Sequence, residues 1–161
     1  MFVVSSLNIP CFCVPGNHDK AFENSPPPGW QSLDGEIILY RNLTLMGLGG
    51  SMFYNGKSPY QYSEWAMRKR YWKLLPKLLW FRNRIGIFVS HAPAFELGDL
   101  ENQAHRGYKT FRTILDRTKP RYFLHVHLSY GVIPRKQRYN NTEVTNGYES
   151  GQFRRWSSTR L

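Results

Sequence analysis

Four of the five histidines in this 161-residue chain stand just past short apolar runs. His18 follows residues 9–14, His91 follows residues 85–89, and His125 and His127 follow residues 121–124. Apolar runs this short read as strands, and the unbroken run at 85–89 reads as a strand covered on both faces. A lone histidine is more often a satisfied core or surface residue than a ligand. Four of the five lying just beyond strands are harder to dismiss as satisfied bystanders. α/β proteins commonly bind ligands in the loops at the C-terminal ends of their strands.

The rest of the chain supplies the elements of such a fold. Glu36–Tyr40 and Leu43–Leu48 alternate as two strands, and Arg41-Asn42 between them suits a tight hairpin. Gly47, Gly49 and Gly50 leave a permissive backbone at the end of the second strand. Residues 62–75 form the clearest helix, with Trp65, Trp72, Leu75 and Leu79 expected to face the core. Pro76 is expected to break or kink it, and Arg68, Lys69, Arg70, Lys73 and Lys77 to form a solvated face. A second helix is expected over 108–117, with Phe111, Ile114 and Leu115 inward, and further strands at 130–133 and 143–145. The order is mixed α/β. Residues 1–150 read as one domain and residues 151–161 as a loose basic tail.

Composition narrows the partners. The formal net charge is +11, from 22 Lys and Arg against 11 Asp and Glu, which attracts phosphate-bearing ligands. The basic residues are scattered and no nucleic-acid module is recognisable, so a basic phosphate- or nucleic-acid-binding domain rests on charge alone. Cys11 and Cys13 are the only cysteines; a disulfide at that spacing is strained, and two thiols do not make a zinc site. They read as small buried hydrophobes of a reducing, cytoplasmic compartment. No signal peptide and no membrane span is visible.

Three segments carry chemistry: Gly16-Asn17-His18-Asp19, Ser90-His91-Ala92-Pro93 and Leu124-His125-Val126-His127. Imidazole and amide oxygen are good ligands for Mn, Fe, Zn or Ni ions. Asp19 could orient His18 or set its protonation state. In this order and spacing the three blocks resemble the last three of the five metal-site blocks of the calcineurin-like metallophosphoesterase superfamily. The resemblance runs from about Ile9 to Tyr148. It implies a four-layer sandwich of mixed sheets flanked by helices, two divalent metal ions about 3.5–4 Å apart, and hydrolysis of a phosphomonoester or phosphodiester. It implies that Asn17, His91 and His125 bind one metal and His127 the other, with Asn17 also touching the phosphate. His18 would act as general acid toward the leaving group or stabilise the transition state, with Asp19 holding it. His105, in the loop between the second and third blocks, either lines the substrate pocket or is an exposed loop residue.

The chain departs from the family pattern in three places. No Asp has a His two positions later, so the Asp-x-His block is absent. Gly98-Asp99-Leu100-Glu101-Asn102 is superficially like Gly-Asp-x-x-Asp but ends in Asn and falls after His91. Leu124 stands where the family has Gly before His-x-His. Only 15 residues precede Gly16, too few for two strand–loop–helix units, so the expected architecture is a partial sandwich lacking those units. A catalytic metal commonly takes about three protein ligands. The expectation is therefore at most one metal and weak or absent hydrolysis, with a non-catalytic relative as the alternative.

Overall fold

Strand pairing in the computed structural model, which describes residues 9–22, 28–82, 84–126 and 135–147, begins from a hairpin. β3 (Glu36–Tyr40) and β4 (Leu43–Leu48) pair antiparallel, and Arg41 and Asn42 both take positive φ, 45° and 65°. Two successive positive φ values give the turn twist that matches paired strands. β4 then pairs in parallel with β7 (Ile87–Ser90), β7 with β8 (Tyr122–His125), and β8 with β10 (Thr142–Asn146). β9 (Lys136–Tyr139) closes the far edge antiparallel to β10. The sheet order is β3-β4-β7-β8-β10-β9. Its four central strands are parallel, so Leu48, Ser90, His125 and Asn146 end side by side at one rim.

Two small sheets flank this rim. β1 (Cys11–Cys13) pairs with β2 (Trp30–Ser32), and β5 (Ser51–Met52) pairs with β6 (Gln61–Tyr62). α1 (Glu64–Trp80) and α2 (Lys109–Thr118) pack against the main sheet. The core between them is aromatic: Phe88 stacks on Phe123 with ring centroids 4.9 Å apart, and Phe111 meets Phe88 edge-on at 5.2 Å. As expected, Phe111, Ile114 and Leu115 point inward from α2. Tyr108 precedes α2 without a capping side chain. Glu64 of α1 supplies the cap, accepting the N–H groups of Lys109 at 3.0 Å and Thr110 at 2.7 Å. A carboxylate at a helix N-terminus satisfies orphan donors and opposes the dipole favourably.

The helix over 62–75 differs from expectation in two respects. It runs through Pro76 to Trp80, and its inward side chains are Met67, Tyr71, Leu74 and Leu78. Trp65, Trp72 and Leu79 are exposed and Leu75 only half-buried. Both stripes have helical spacing, and anchors outside the helix choose between them. Arg70 pairs with Asp34 at 2.6 Å, Lys77 pairs with Glu36, and Glu64 reaches α2. Pro76 lies on the exposed side. The carbonyl that loses its partner there can turn to water, so the proline does not end the helix.

Other strands were illegible or shifted. β2, β5, β6 and β9 carry too few apolar residues to announce themselves. The strand expected at 130–133 and the tail expected at 151–161 lie outside the described residues. Within β7, Phe88 and Ser90 are buried but Ile87 and Val89 only half-buried, so cover on both faces is incomplete among the described residues. Cys11 and Cys13 are free and half-buried rather than fully buried. Among the described residues, no helix is long and apolar enough to cross a membrane.

The reassigned helix face predicts contrasting stabilities. Met67→Ala is expected to lower unfolding free energy by about 2–5 kcal/mol. Leu79→Ala, in the exposed stripe, should change it by under about 0.5 kcal/mol. Urea denaturation followed by circular dichroism measures both, and the reverse ranking would return the tryptophan stripe to the core.

Candidate metal and phosphate site

Local backbone bonds shape the turn that carries Asn17. The Asp19 carboxylate accepts the Gly16 N–H at 2.6 Å, and the Asp19 N–H returns to the Gly16 carbonyl at 3.1 Å. This turn buries Asn17 while His18 and Asp19 remain exposed. It is pressed against the residue that follows β7. A Cβ on Gly16 would lie 2.6 Å from the His91 ring, so only glycine allows this contact without displacement.

Asn17 and His91, 74 positions apart, then meet directly: Asn17 Oδ1 is 2.9 Å from His91 Nε2. The Asn17 amide nitrogen donates to the Tyr54 hydroxyl at 3.1 Å. His91 is also tied to the third block, because its carbonyl accepts the Val126 N–H at 3.2 Å. His125 is the last residue of β8 and is fully buried. Its ring lies 5.5 Å from that of Phe123, and its carbonyl accepts the Gly147 N–H at 2.7 Å. A Cβ on Gly98 would be 3.4 Å from the His125 ring, so the 94–108 loop passes over that ring at contact distance.

His105 sits in a short 3-10 turn, Gln103–His105, where its Nδ1 is 2.7 Å from Asn102 Oδ1. Asp99, in the segment superficially like Gly-Asp-x-x-Asp, accepts the Gly107 N–H at 3.0 Å and so fixes the same loop. His127 lies outside the described residues. Among the described residues, no three His, Cys, Asp or Glu side chains gather as a metal-holding group. The arrangement adds Tyr54, which sequence reasoning did not single out. Its only signal in the sequence is its place just beyond the glycine-rich end of β4.

The sequence pattern of the calcineurin-like phosphoesterase family matches residues 2–129. The chain belongs to this family. Two solved structures share the fold of this calcineurin-like chain. One crystal structure is 21% identical with a TM-score of 0.58, and the match covers 86% of this chain and 57% of that one. The crystal structure of TT1561 of Thermus thermophilus is 15% identical with a TM-score of 0.59, covering 91% of this chain and 66% of that one. The chain thus spans less than two thirds of the length of either. No curated protein matches it in sequence.

Family membership implies divalent metal ions, and the donor geometry can be tested against one. Two ligands at about 2.0–2.1 Å from a metal, at right angles to each other, stand about 2.9 Å apart. The Asn17 Oδ1 to His91 Nε2 contact is a 2.9 Å hydrogen bond, a separation that two donors at right angles around one ion also have.

Nearby, the Cys13 thiol is pushed up from the ordinary range, first by burial and then by the charges of Asp19 and Cys11. Less thiolate at a given pH means slower alkylation. Cys13 should therefore react with iodoacetamide more slowly than free cysteine at about pH 8, read by peptide mass spectrometry. Gly16→Ala should cost about 1–3 kcal/mol of stability through overpacking and shift the His91 imidazole NMR resonances. Unmoved His91 resonances would show that the ring does not depend on Gly16.

Proposed function

We propose that the chain is a metal-dependent phosphoesterase of low turnover, acting on a phosphomonoester or phosphodiester. In this reading Asn17, His91 and His125 hold one divalent ion: Mn, Fe, Zn or Ni suits imidazole and amide donors. The observation that carries it is the 2.9 Å approach of Asn17 and His91, two blocks distant in sequence, at the rim where the parallel strands end. A bound divalent ion would supply positive charge at the phosphoryl oxygens and make water a better nucleophile at neutral pH.

The remaining roles belong to this chain's own groups. Asn17 carries two amide hydrogens; one goes to Tyr54, and the other is proposed to meet a phosphoryl oxygen. His18 is exposed at the tip of the turn, where a leaving group can approach, and is proposed as the general acid. Asp19 supports it by closing the turn beneath it through Gly16. His105, in the loop that passes over His125, is proposed to line the substrate side. His127 is proposed as a ligand on the side of a second ion. Cytoplasmic placement is proposed from the two free thiols.

Low turnover is part of the proposal because this reading assigns a set of donors to one ion rather than to a pair. A positioned general acid contributes about 10²–10⁴-fold, well below what metal-assisted attack adds to it. The test is hydrolysis of p-nitrophenyl phosphate and bis-p-nitrophenyl phosphate with Mn²⁺, comparing the chain with His18→Ala. Feeble release of nitrophenol, weaker still in the variant, is expected. An ordinary enzymatic rate abolished by His18→Ala would mean that further ligands come from Asp99, Glu101 or a second copy.

A further inference from the structure

α1 carries large apolar side chains on two opposite faces. Met67, Tyr71, Leu74 and Leu78 are buried in the core. Trp65, Trp72 and Leu79 recur every seven residues on the outer face and are exposed. Seven residues are almost two helical turns, and such a line drifts by only about 20° per repeat, so the three form one stripe. Trp80 stands beside its end; Leu79 is 67% exposed and Trp80 83%. A helix apolar on one face is satisfied once that face is covered. One that is apolar on a second, uncovered face points to a second surface that it meets.

Charge says what kind of surface that is. Arg68, Lys69 and Lys73 border the stripe, are exposed and make no ion pair among the described residues. The one acid in α1 is Glu64, and its carboxylate is bonded to Lys109 and Thr110 at the start of α2. The outer face therefore joins indole and leucine to positive charge with no free negative charge. A second copy meeting it face to face would set these cations against their own kind. Stacked nucleic-acid bases would need open indole faces. Trp65 and Trp72 instead pack edge to face, with centroids 5.2 Å apart at 86°, and the Lys69 ammonium stands 5.4 Å from the Trp65 centroid. An anionic bilayer asks for no open ring face. Indole settles at the headgroup level, leucine enters the upper acyl region, and lysine and arginine stems reach back so that their charges meet the lipid phosphates.

We propose that the outer face of α1 docks on an anionic lipid surface, with Trp65, Trp72, Leu79 and Trp80 turned to the acyl boundary and Arg68, Lys69 and Lys73 at the headgroups. The helix lies along the bilayer rather than through it, because its opposite face is held in the core. The net charge of +11 draws the chain toward the same anionic surface. The proposal is independent of the metal site, since no residue of the stripe touches Asn17 or His91.

The experiment is co-sedimentation of the full chain with vesicles of phosphatidylcholine mixed with phosphatidylserine, and with vesicles of phosphatidylcholine alone. A parallel set with brominated acyl chains reports tryptophan insertion by fluorescence quenching. Leu79→Ser/Trp80→Ser tests the apolar stripe and Lys69→Gln/Lys73→Gln the cations, with thermal melting of each as the folding control. Wild type should bind the mixed vesicles, with quenching, and bind phosphatidylcholine alone far more weakly. The serine variant should bind the mixed vesicles at least about 10-fold more weakly, through lost apolar burial. The glutamine variant should bind them roughly 25-fold more weakly, at about 5-fold per cation. If the serine variant melts early, the glutamine variant, which changes only exposed polar side chains, decides. Absence of wild-type binding, or equal binding by both variants, overturns the proposal. Binding without quenching overturns it by making the contact purely electrostatic. Equal binding to phosphatidylcholine alone removes the role of the cations and overturns it as well. Tighter binding to a single-stranded oligonucleotide than to the mixed vesicles, lost in the serine variant, overturns it by assigning the face to nucleic acid.

Discussion

The close approach of three backbone segments at Gly47-Leu48-Gly49-Gly50 is the constraint on which the rest depends. A Cβ on Gly47 would stand 2.5 Å from the Leu33 carbonyl oxygen, and one on Gly49 would stand 2.5 Å from that of Pro15. Both obstacles are backbone, which cannot step aside as a side-chain tip can. With hydrogens there instead, the Pro15 carbonyl accepts the Gly50 N–H at 2.8 Å and the Asp34 carboxylate accepts the Gly49 N–H at 2.6 Å. Arg70 closes the knot from α1, donating to Asp34 at 2.6 Å and to the Gly49 carbonyl at 3.0 Å. Hydrogen bonds with a charged partner contribute about 1.5–3 kcal/mol each, so this cluster fixes a position rather than decorating a surface. The chain leaves it at Pro15, one residue before the turn that sets Asn17 against His91.

Elements with a local cause could be read in the sequence, and elements fixed by distant partners could not. The β3–β4 hairpin, α2 and β10 were legible because each has a local cause: a two-residue turn at Arg41-Asn42, an amphipathic stripe, and the β-branched Thr142, Val144 and Thr145. β9 was not, because Lys136-Gln137-Arg138-Tyr139 is a polar edge strand whose only reason to extend is pairing with β10. α1 was found but rotated. Its two stripes, Trp65-Trp72-Leu79 and Met67-Tyr71-Leu74-Leu78, both satisfy helical spacing, and the first contains the larger side chains. Hydrophobic size favours the tryptophans. The ion pairs of Arg70 and Lys77 and the contact of Glu64 with α2 favour the other face, and those partners are 36, 41 and 46 residues away.

The site divides the same way. Asn17 and His91 were legible as residue types in spaced blocks, and the fold brings their side chains together. Tyr54 was not, because its relation to Asn17 exists only once Gln61 has gathered the backbone of its loop. The reverse error was equally available. Gly98-Asp99-Leu100-Glu101-Asn102 has the look of a metal block, yet Asp99 holds Gly107 and Asn102 holds His105. Carboxylates and amides in loops often bond to neighbouring backbone, and that local role is invisible in a motif.

Burial separates the proposed roles in a chemically sensible way. Asn17 and His125 are buried, and His91 is pressed by Gly16 on one side and bonded to Asn17. Groups meant to share an ion gain from being held this firmly, because each degree of freedom already lost need not be lost on binding. His18, by contrast, sits on the exposed tip of the same turn. A group that exchanges protons with a leaving group needs access to it and to solvent. One four-residue turn achieves both because Asp19 folds back onto Gly16, directing Asn17 inward and leaving His18 outside. The glycine that permits the His91 contact is also the donor that anchors Asp19, so the buried and the exposed halves of the turn cannot be altered independently.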